Sequence, residues 1–278
     1  MPNILNIAKW IATLGSSPQT FLGAKWVTGL LKLSPKSNKR IWALRLLSLS
    51  PHYFINPENP EFSGLSNSEY LEAAFQGGWR SRHLIYDQIL KDYLLPDYAV
   101  LDYGCGPGFL ANILAKHVTQ VYACDISAGA LACAEVLNSA PNLKYVLADV
   151  DGMERIPDES LNAIVSFAMA QHLSNEALDL VLANSLRKLK SGGRLLLHIQ
   201  LLDGAWKSEE EWRLDTSIRG KLKLRYGLHC FGRTADAYRD KVAHHGFKDI
   251  EIIRVADLVP DNFDDIWSQN LLIALKPE

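Results

Sequence analysis

A chain of 278 residues is long enough for one α/β domain and a sizeable addition to it. A formal net charge of −2 and a hydrophobic share of 48% are those of an ordinary globular protein, and no apolar run is long enough to cross a bilayer. Cys105, Cys124, Cys133 and Cys230 form neither a Cys-x-x-Cys pair nor a His/Cys cluster. A secreted disulfide framework and a metal site are therefore set aside in favour of free thiols in a reducing cytoplasm.

Charge is uneven along the chain. No acidic residue precedes Glu58, whereas Lys9, Lys25, Lys32, Lys36, Lys39, Arg40 and Arg45 are basic. Solvated outer faces of inward-packing helices are the preferred reading, and a docking face for an acidic partner or an anionic membrane surface is the other. Ile4, Leu5, Ile7, Ala8, Ile11 and Leu14 fall on one helical stripe that Gly15-Ser-Ser-Pro18 ends. Lys9 and Trp10 interrupt the apolar run and no basic leader precedes it, so it is not read as a signal peptide. Two further apolar segments, 21–33 and 41–49, flank a polar linker. Residues 1–66 are thus read as a helical cap or lid region, and 67–278 as the core domain.

Pro51, Pro57, Pro60 and Gly64 mark an extended connection. A helix is predicted to start near Asn67, with Ser66 or Asn67 as its cap and Glu69 and Glu72 in its first turns. Gly77-Gly-Trp-Arg-Ser-Arg82 is predicted to break it, and a second helix to run over 81–93.

From Tyr98 onward strand and helix alternate, which predicts a parallel sheet with helices on both faces. The strands are read at 98–102, 120–124, 143–148, 161–167, 193–200, 249–256 and 267–275, and the helices near 109–117, 127–139, 174–190 and 233–245. The first strand ends at Asp102 and opens into Gly104, Gly106 and Gly108, which are expected to let the backbone approach a ligand where any Cβ would clash. Asp125 follows Gly104 by 21 residues at the tip of the second strand, where a carboxylate can accept both hydroxyl protons of a ribose. A dinucleotide fingerprint requires glycine at the sixth position of this loop, which is Phe109, and no Gly-Lys-Ser/Thr follows. Pyrophosphate-type binding is therefore disfavoured.

What stands here, Val100-Leu-Asp-Tyr-Gly-Cys-Gly-Pro-Gly108 with Asp125 at its spacing, resembles the first motif of class I S-adenosylmethionine-dependent methyltransferases. The resemblance is to the ubiquinone- and menaquinone-biosynthesis type. It implies a Rossmann-like, seven-stranded, mostly parallel sheet and S-adenosylmethionine as cofactor. Asp102, Gly104, Cys105 and Gly106 would hold the methionine end, and Asp125 with Ile126 the ribose region. Asp149 and Val150 would meet the adenine, with Asp151 able to substitute. Arg82 is the candidate for the methionine carboxylate, and Trp79 for the sulfonium, a cation that an aromatic face attracts.

The segment after the fourth strand, Phe167 to Leu173, should border the transferring methyl group. In the resembling family one or two histidines stand there. His172 aligns with one of them and Gln171 with the other position; Phe167 and Gln171 are counted among the cofactor-binding residues. A histidine suits removal of an acceptor hydroxyl proton, because its pKa lies near working pH. His172 is therefore the candidate general base, while a helix-capping role is the alternative. His198, on the fifth strand, and His229, in the insertion, are the weaker alternatives for the base, each read first as a histidine satisfied by backbone.

An insertion at 201–231, with Trp206, Trp212, Tyr226, His229 and Phe231, is expected to wall a small or medium-sized, partly apolar acceptor. No basic-aromatic stripe runs through the core, and no Asn/Asp-Pro-Pro-Tyr-type motif follows the fourth strand, so nucleic acid is not an expected partner. Length, cap and leader resemble tailoring O-methyltransferases of bacterial peptide and polyketide pathways, the microcystin pathway among them. Carbon methylation of a quinone- or lipid-like acceptor and a non-catalytic docking subunit are the rival readings.

Overall fold

The computed structural model describes residues 28–48, 62–149, 153–202, 206–225, 229–259 and 269–278. The amphipathic stripe at 4–14, most of the second apolar segment, the proline-rich connection at 51–61, Val150, Asp151 and Tyr226 lie outside the described residues.

Seven strands make one sheet: β1 (Ala99–Tyr103), β2 (Gln120–Asp125), β3 (Leu143–Leu147), β4 (Leu161–Ser166), β5 (Leu189–Ile199), β6 (Lys248–Arg254) and β7 (Asn270–Leu275). Their spatial order is β3-β2-β1-β4-β5-β7-β6. β1 to β5 run parallel, and β7 is antiparallel to both β5 and β6. The alternation of strand and helix predicted the parallel part of this sheet, and the whole is the Rossmann-like, seven-stranded, mostly parallel form of class I methyltransferases that the resemblance implied. The strand order reverses between β1 and β4, and the crevice beyond their carboxyl ends is where an open α/β sheet receives a ligand.

Alternation along the buried strands sorts side chains onto two cores. Val100, Val121, Ala123, Val165 and Leu196 meet one helical layer together with Ile85, Ile89, Leu110 and Leu114. Leu101, Cys124, Ile164, Leu195 and Leu197 meet the other with Leu178, Leu182, Tyr238 and Val242.

Before the sheet stand α1 (Lys39–Leu47) and α2 (Asn67–Ile85). α2 begins with a capping box in which Ser66 and Glu69 satisfy each other's backbone amides. The predicted break at Gly77-Gly78 does not occur: α2 is continuous to Ile85 and passes into a π-turn, Tyr86–Leu90, and a 3₁₀ turn, Lys91–Tyr93. The reason is packing. A Cβ on Gly78 would lie 3.1 Å from Cζ of Phe109, so the residue is there for close approach to the next helix and not to end its own. α1 joins this corner through Leu44, beside Tyr70, Leu71, Phe75 and Phe109, and Arg40 pairs with Glu72 at 2.7 Å.

Among the described residues further helices are α3 (Phe109–Leu114), α4 (Ala128–Leu137), α5 (Asn175–Lys188), α6 (Glu209–Leu214), α7 (Ile218–Arg225) and α8 (Ala235–His244). α6 and α7 belong to the predicted insertion. No helix among the described residues is long and apolar enough to cross a membrane.

Candidate active site

The glycine loop is folded by its own backbone and by supports from β2, α4 and β3. The amides of Gly104 and Cys105 both donate to the Cys124 carbonyl, at 2.8 and 2.9 Å, and Gly108 donates to Cys105 at 2.9 Å. Gly104, Gly106 and Gly108 have φ of 79°, 52° and 77°, the left-handed region that side chains avoid. The Asn138 side chain donates to the Pro107 carbonyl at 2.8 Å, and the Tyr145 hydroxyl donates to the Asn138 carbonyl at 2.7 Å. A Cβ on Gly104 would run into Met169, and one on Gly108 into the Tyr145 hydroxyl. The sequence reading gave these glycines to the approach of a ligand; the first contacts forbidding a side chain at these two positions are the protein's own.

Asp125 ties this loop to β2. One carboxylate oxygen accepts from the Gly106 amide and the other from Ser127, both at 2.8 Å. Burial raises its pKa while these amides pull it back. Each oxygen keeps a second lone pair with which to accept a sugar hydroxyl. Ile126 follows with 44% of its surface exposed beside the crevice, and Asp149 is exposed at the end of β3.

Asp102 ends β1 in a different state. It is buried, and Oδ2 has no hydrogen-bond partner among the described residues. Burial pushes its pKa up to about 7, with the Arg82 guanidinium pulling it down and Asp125 pushing it further up. Burial in turn lowers the pKa of Arg82, and the negative charge of Asp102 raises it. Asp102 and Arg82 thus feel each other's charge, with no direct ion pair between them among the described residues. That donor set fits the ammonium and carboxylate of an amino acid. Trp79, one turn before Arg82, has the Lys116 ammonium 4.4 Å from its ring centroid and His83 edge-on at 4.0 Å. The cation on its face in this structure is thus a lysine, where the sequence reading had placed a sulfonium.

The opposite wall rises from the end of β4. Phe167 stacks on His198 with centroids 5.1 Å apart, and the His198 Nδ1 accepts from Ala168, whose φ is 57°. A 3₁₀ turn, Ala170–His172, follows. Gln171 is buried there, with Oε1 lacking a partner among the described residues. His172 Nδ1 lies 2.6 Å from the His229 carbonyl. A carbonyl only accepts, so Nδ1 carries the hydrogen and the neutral ring has its lone pair on Nε2.

The insertion is bolted around this turn. Phe231 donates its amide to the Gln171 carbonyl at 2.7 Å, and the Trp212 indole donates to the Cys230 carbonyl at 2.8 Å. Arg233, buried, donates to Asn175 Oδ1 at 2.7 Å and to the Leu173 carbonyl at 2.6 Å. Glu209 accepts from the Asn175 amide at 2.6 Å. Burial lowers the pKa of His229, whose Nδ1 faces the Lys223 carbonyl at 3.4 Å, so a backbone-satisfied histidine stands there as expected. Asn138, Tyr145, Met169 and Arg233 shape the site and were not singled out for it from the sequence, whereas Trp212 was named there as one of the aromatic residues of the insertion.

Residues 101–197 match a family model described as a methyltransferase domain, beginning in β1 and ending in β5. The chain is 34% identical over 116 residues to the mitochondrial ubiquinone biosynthesis O-methyltransferase of Candida albicans, covering 40% of this chain and 34% of that protein. It is 27% identical over 155 residues to the malonyl-[acyl-carrier protein] O-methyltransferase of Halalkalibacterium halodurans, covering 54% and 56%. The chain thus spans between a third and somewhat over a half of the length of these relatives. Among solved structures, phosphoethanolamine N-methyltransferase 2 of Haemonchus contortus, in complex with S-adenosyl-L-methionine, superposes with a TM-score of 0.52 at 17% identity, over 73% of this chain and 53% of that one. That likeness concerns the fold.

Proposed function

We propose that the protein is an S-adenosylmethionine-dependent methyltransferase that methylates an oxygen of a small or medium-sized acceptor. The observation that carries the first half is the coincidence of the matched methyltransferase domain with the loop that joins Gly106 to Asp125 and leaves Asp102 Oδ2 without a hydrogen-bond partner among the described residues. When bound, the cofactor supplies a methyl group already activated as a sulfonium, so the reaction is an in-line displacement that requires positioning more than polarisation. Arg82 receives the methionine carboxylate, Asp102 the ammonium, and Asp125 with Ile126 the ribose region, with Asp149 at the adenine end. Gly104, Cys105, Gly106, Phe167 and Gln171 line the remainder of the cofactor's bed.

The assignment to oxygen rests on His172. An imidazole that donates through Nδ1 presents Nε2 as the basic atom, the arrangement required to take a hydroxyl proton as the new bond forms. Two of the matched relatives are named for O-methylation. Trp212, His229 and Phe231 give the insertion an aromatic lining suited to a partly apolar acceptor, and a natural-product hydroxyl of the peptide or polyketide type fits this description.

The test is transfer of a labelled methyl group from the cofactor into pools of hydroxylated and carbon-nucleophile acceptors, with products identified by mass. Label on oxygen supports the reading. Label on carbon alone would replace it, and absence of transfer to any acceptor by a protein that binds the cofactor would favour a docking subunit.

A further inference from the structure

The atom that fixes the His172 ring belongs to the insertion and not to the core. Two links join the two, and a third braces the segment that makes them from within the insertion. The His229 carbonyl accepts from His172 Nδ1 at 2.6 Å, the Phe231 amide donates to the Gln171 carbonyl at 2.7 Å, and the Trp212 indole donates to the Cys230 carbonyl at 2.8 Å. The first two are made by the short segment 229–231. The third comes from α6 and is made by a side chain that is itself buried. α6 is in turn anchored by its own capping box, Ser208 with Glu211, and by Glu209 on the amide of Asn175. Trp212 is therefore the side-chain strut that carries the position of α6 to the carbonyl holding His172.

We propose that Trp212 is a positioning residue that sets the tautomer of His172 through the 229–231 segment, so that the base is formed only when the insertion is seated. A histidine in water favours the Nε2-protonated form slightly; the bond to His229 reverses that choice and directs the lone pair to Nε2. Without the indole donor, the part-buried Cys230 carbonyl loses its partner, the peptide segment beside it relaxes, and Nδ1 loses a fixed acceptor. His198 provides an opposite case within the same wall. Its Nδ1 accepts from the Ala168 amide at 3.3 Å, so its hydrogen sits on Nε2.

The inference rests on the reading of His172 as the base, but its test does not use turnover. In protein labelled with ¹⁵N-histidine, long-range ¹H–¹⁵N correlations near pH 8, roughly 1.5 units above the ordinary imidazole pKa, report which ring nitrogen is protonated. His172, identified by the signals lost in His172→Gln, is expected to be protonated at Nδ1, and His198 at Nε2. Trp212→Phe keeps an aromatic ring but no N–H; it is expected to abolish the Nδ1-protonated pattern of His172 and leave His198 as it was. Trp212→Gln restores an N–H donor without the ring and is expected to keep the pattern. A parent His172 protonated at Nε2 overturns the proposal. So does a Trp212→Phe variant that behaves like the parent, or loss of the pattern in both variants, which would make Trp212 a packing residue only. If His172→Gln retains turnover while these tautomers hold, the base reading falls and the positioning inference stands.

Discussion

The glycine loop is held by residues close to it in sequence: Gly106 to Asp125 spans 19 residues and Pro107 to Asn138 spans 31. The wall around His172 is held from farther off, with 57 residues between His172 and His229 and 60 between Leu173 and Arg233. One wall can form as soon as the β1–β3 unit folds. The other is completed only when the insertion docks, and it can open without unfolding the sheet. On the proposed function, the cleft pairs a preformed surface for the cofactor with a separable one for the acceptor.

Four substitutions sharpen or break this contrast, in order of expected effect. His172→Ala should lower kcat by ~10²–10⁴-fold with cofactor affinity unchanged, because only the acceptor wall loses a proton-transfer group. Calorimetry with S-adenosylhomocysteine beside turnover checks it; an equal loss in both would place the histidine in the cofactor wall instead. Gly104→Val combines a positive φ with a collision against Met169. It should cost about 3 kcal/mol or more in urea unfolding and abolish cofactor binding.

Arg233→Ala removes a buried cation from Asn175, Leu173 and Glu209. A local loss of roughly 3 kcal/mol is expected, read as faster hydrogen exchange in 206–225 while β1–β3 keep their protection. Uniform acceleration across both walls would mean that the insertion is no separate unit.

Asp102→Asn should weaken cofactor binding by roughly 10–100-fold, the effect of losing one charge-assisted bond, and yet stabilise the ligand-free protein above neutral pH. The sign follows from the pKa. The folded group is held up at about 7, so between the ordinary carboxylate range and pH 7 the native state binds more protons than the unfolded chain. Its stability therefore falls as pH rises through that window, and the asparagine variant should lose this slope. Thermal melts from pH 5 to 8 without ligand compare the two; parallel curves would contradict a buried, unpaired Asp102.

Much of the cofactor wall was legible in the sequence for the same reason that it is self-contained. Three glycines at alternate positions, an acidic residue at each strand end and period-two apolar runs are local signals, and they located β1 to β4 within a few residues. Of the wall around His172, the Phe167–Leu173 segment was read from the resemblance, and the insertion only as aromatic content. That Trp212 meets Cys230, or that Arg233 meets Leu173 and Asn175, depends on how two distant segments dock, and no periodicity encodes it. Gly78 misled because helix propensity is local, whereas its use, close contact with Phe109, is tertiary. Lys116 reaches the Trp79 ring from just beyond α3, and nothing in the stretch around Trp79 shows that neighbour.

The central claim is that the crevice between the glycine loop and Asp125 takes up an adenosyl amino acid, and titration calorimetry of the ligand-free protein with S-adenosylhomocysteine addresses it most directly. One molecule should bind per chain, with Asp125→Ala and Asp102→Asn each weakening uptake. No heat, binding indifferent to both substitutions, or preference for a nicotinamide dinucleotide would contradict it.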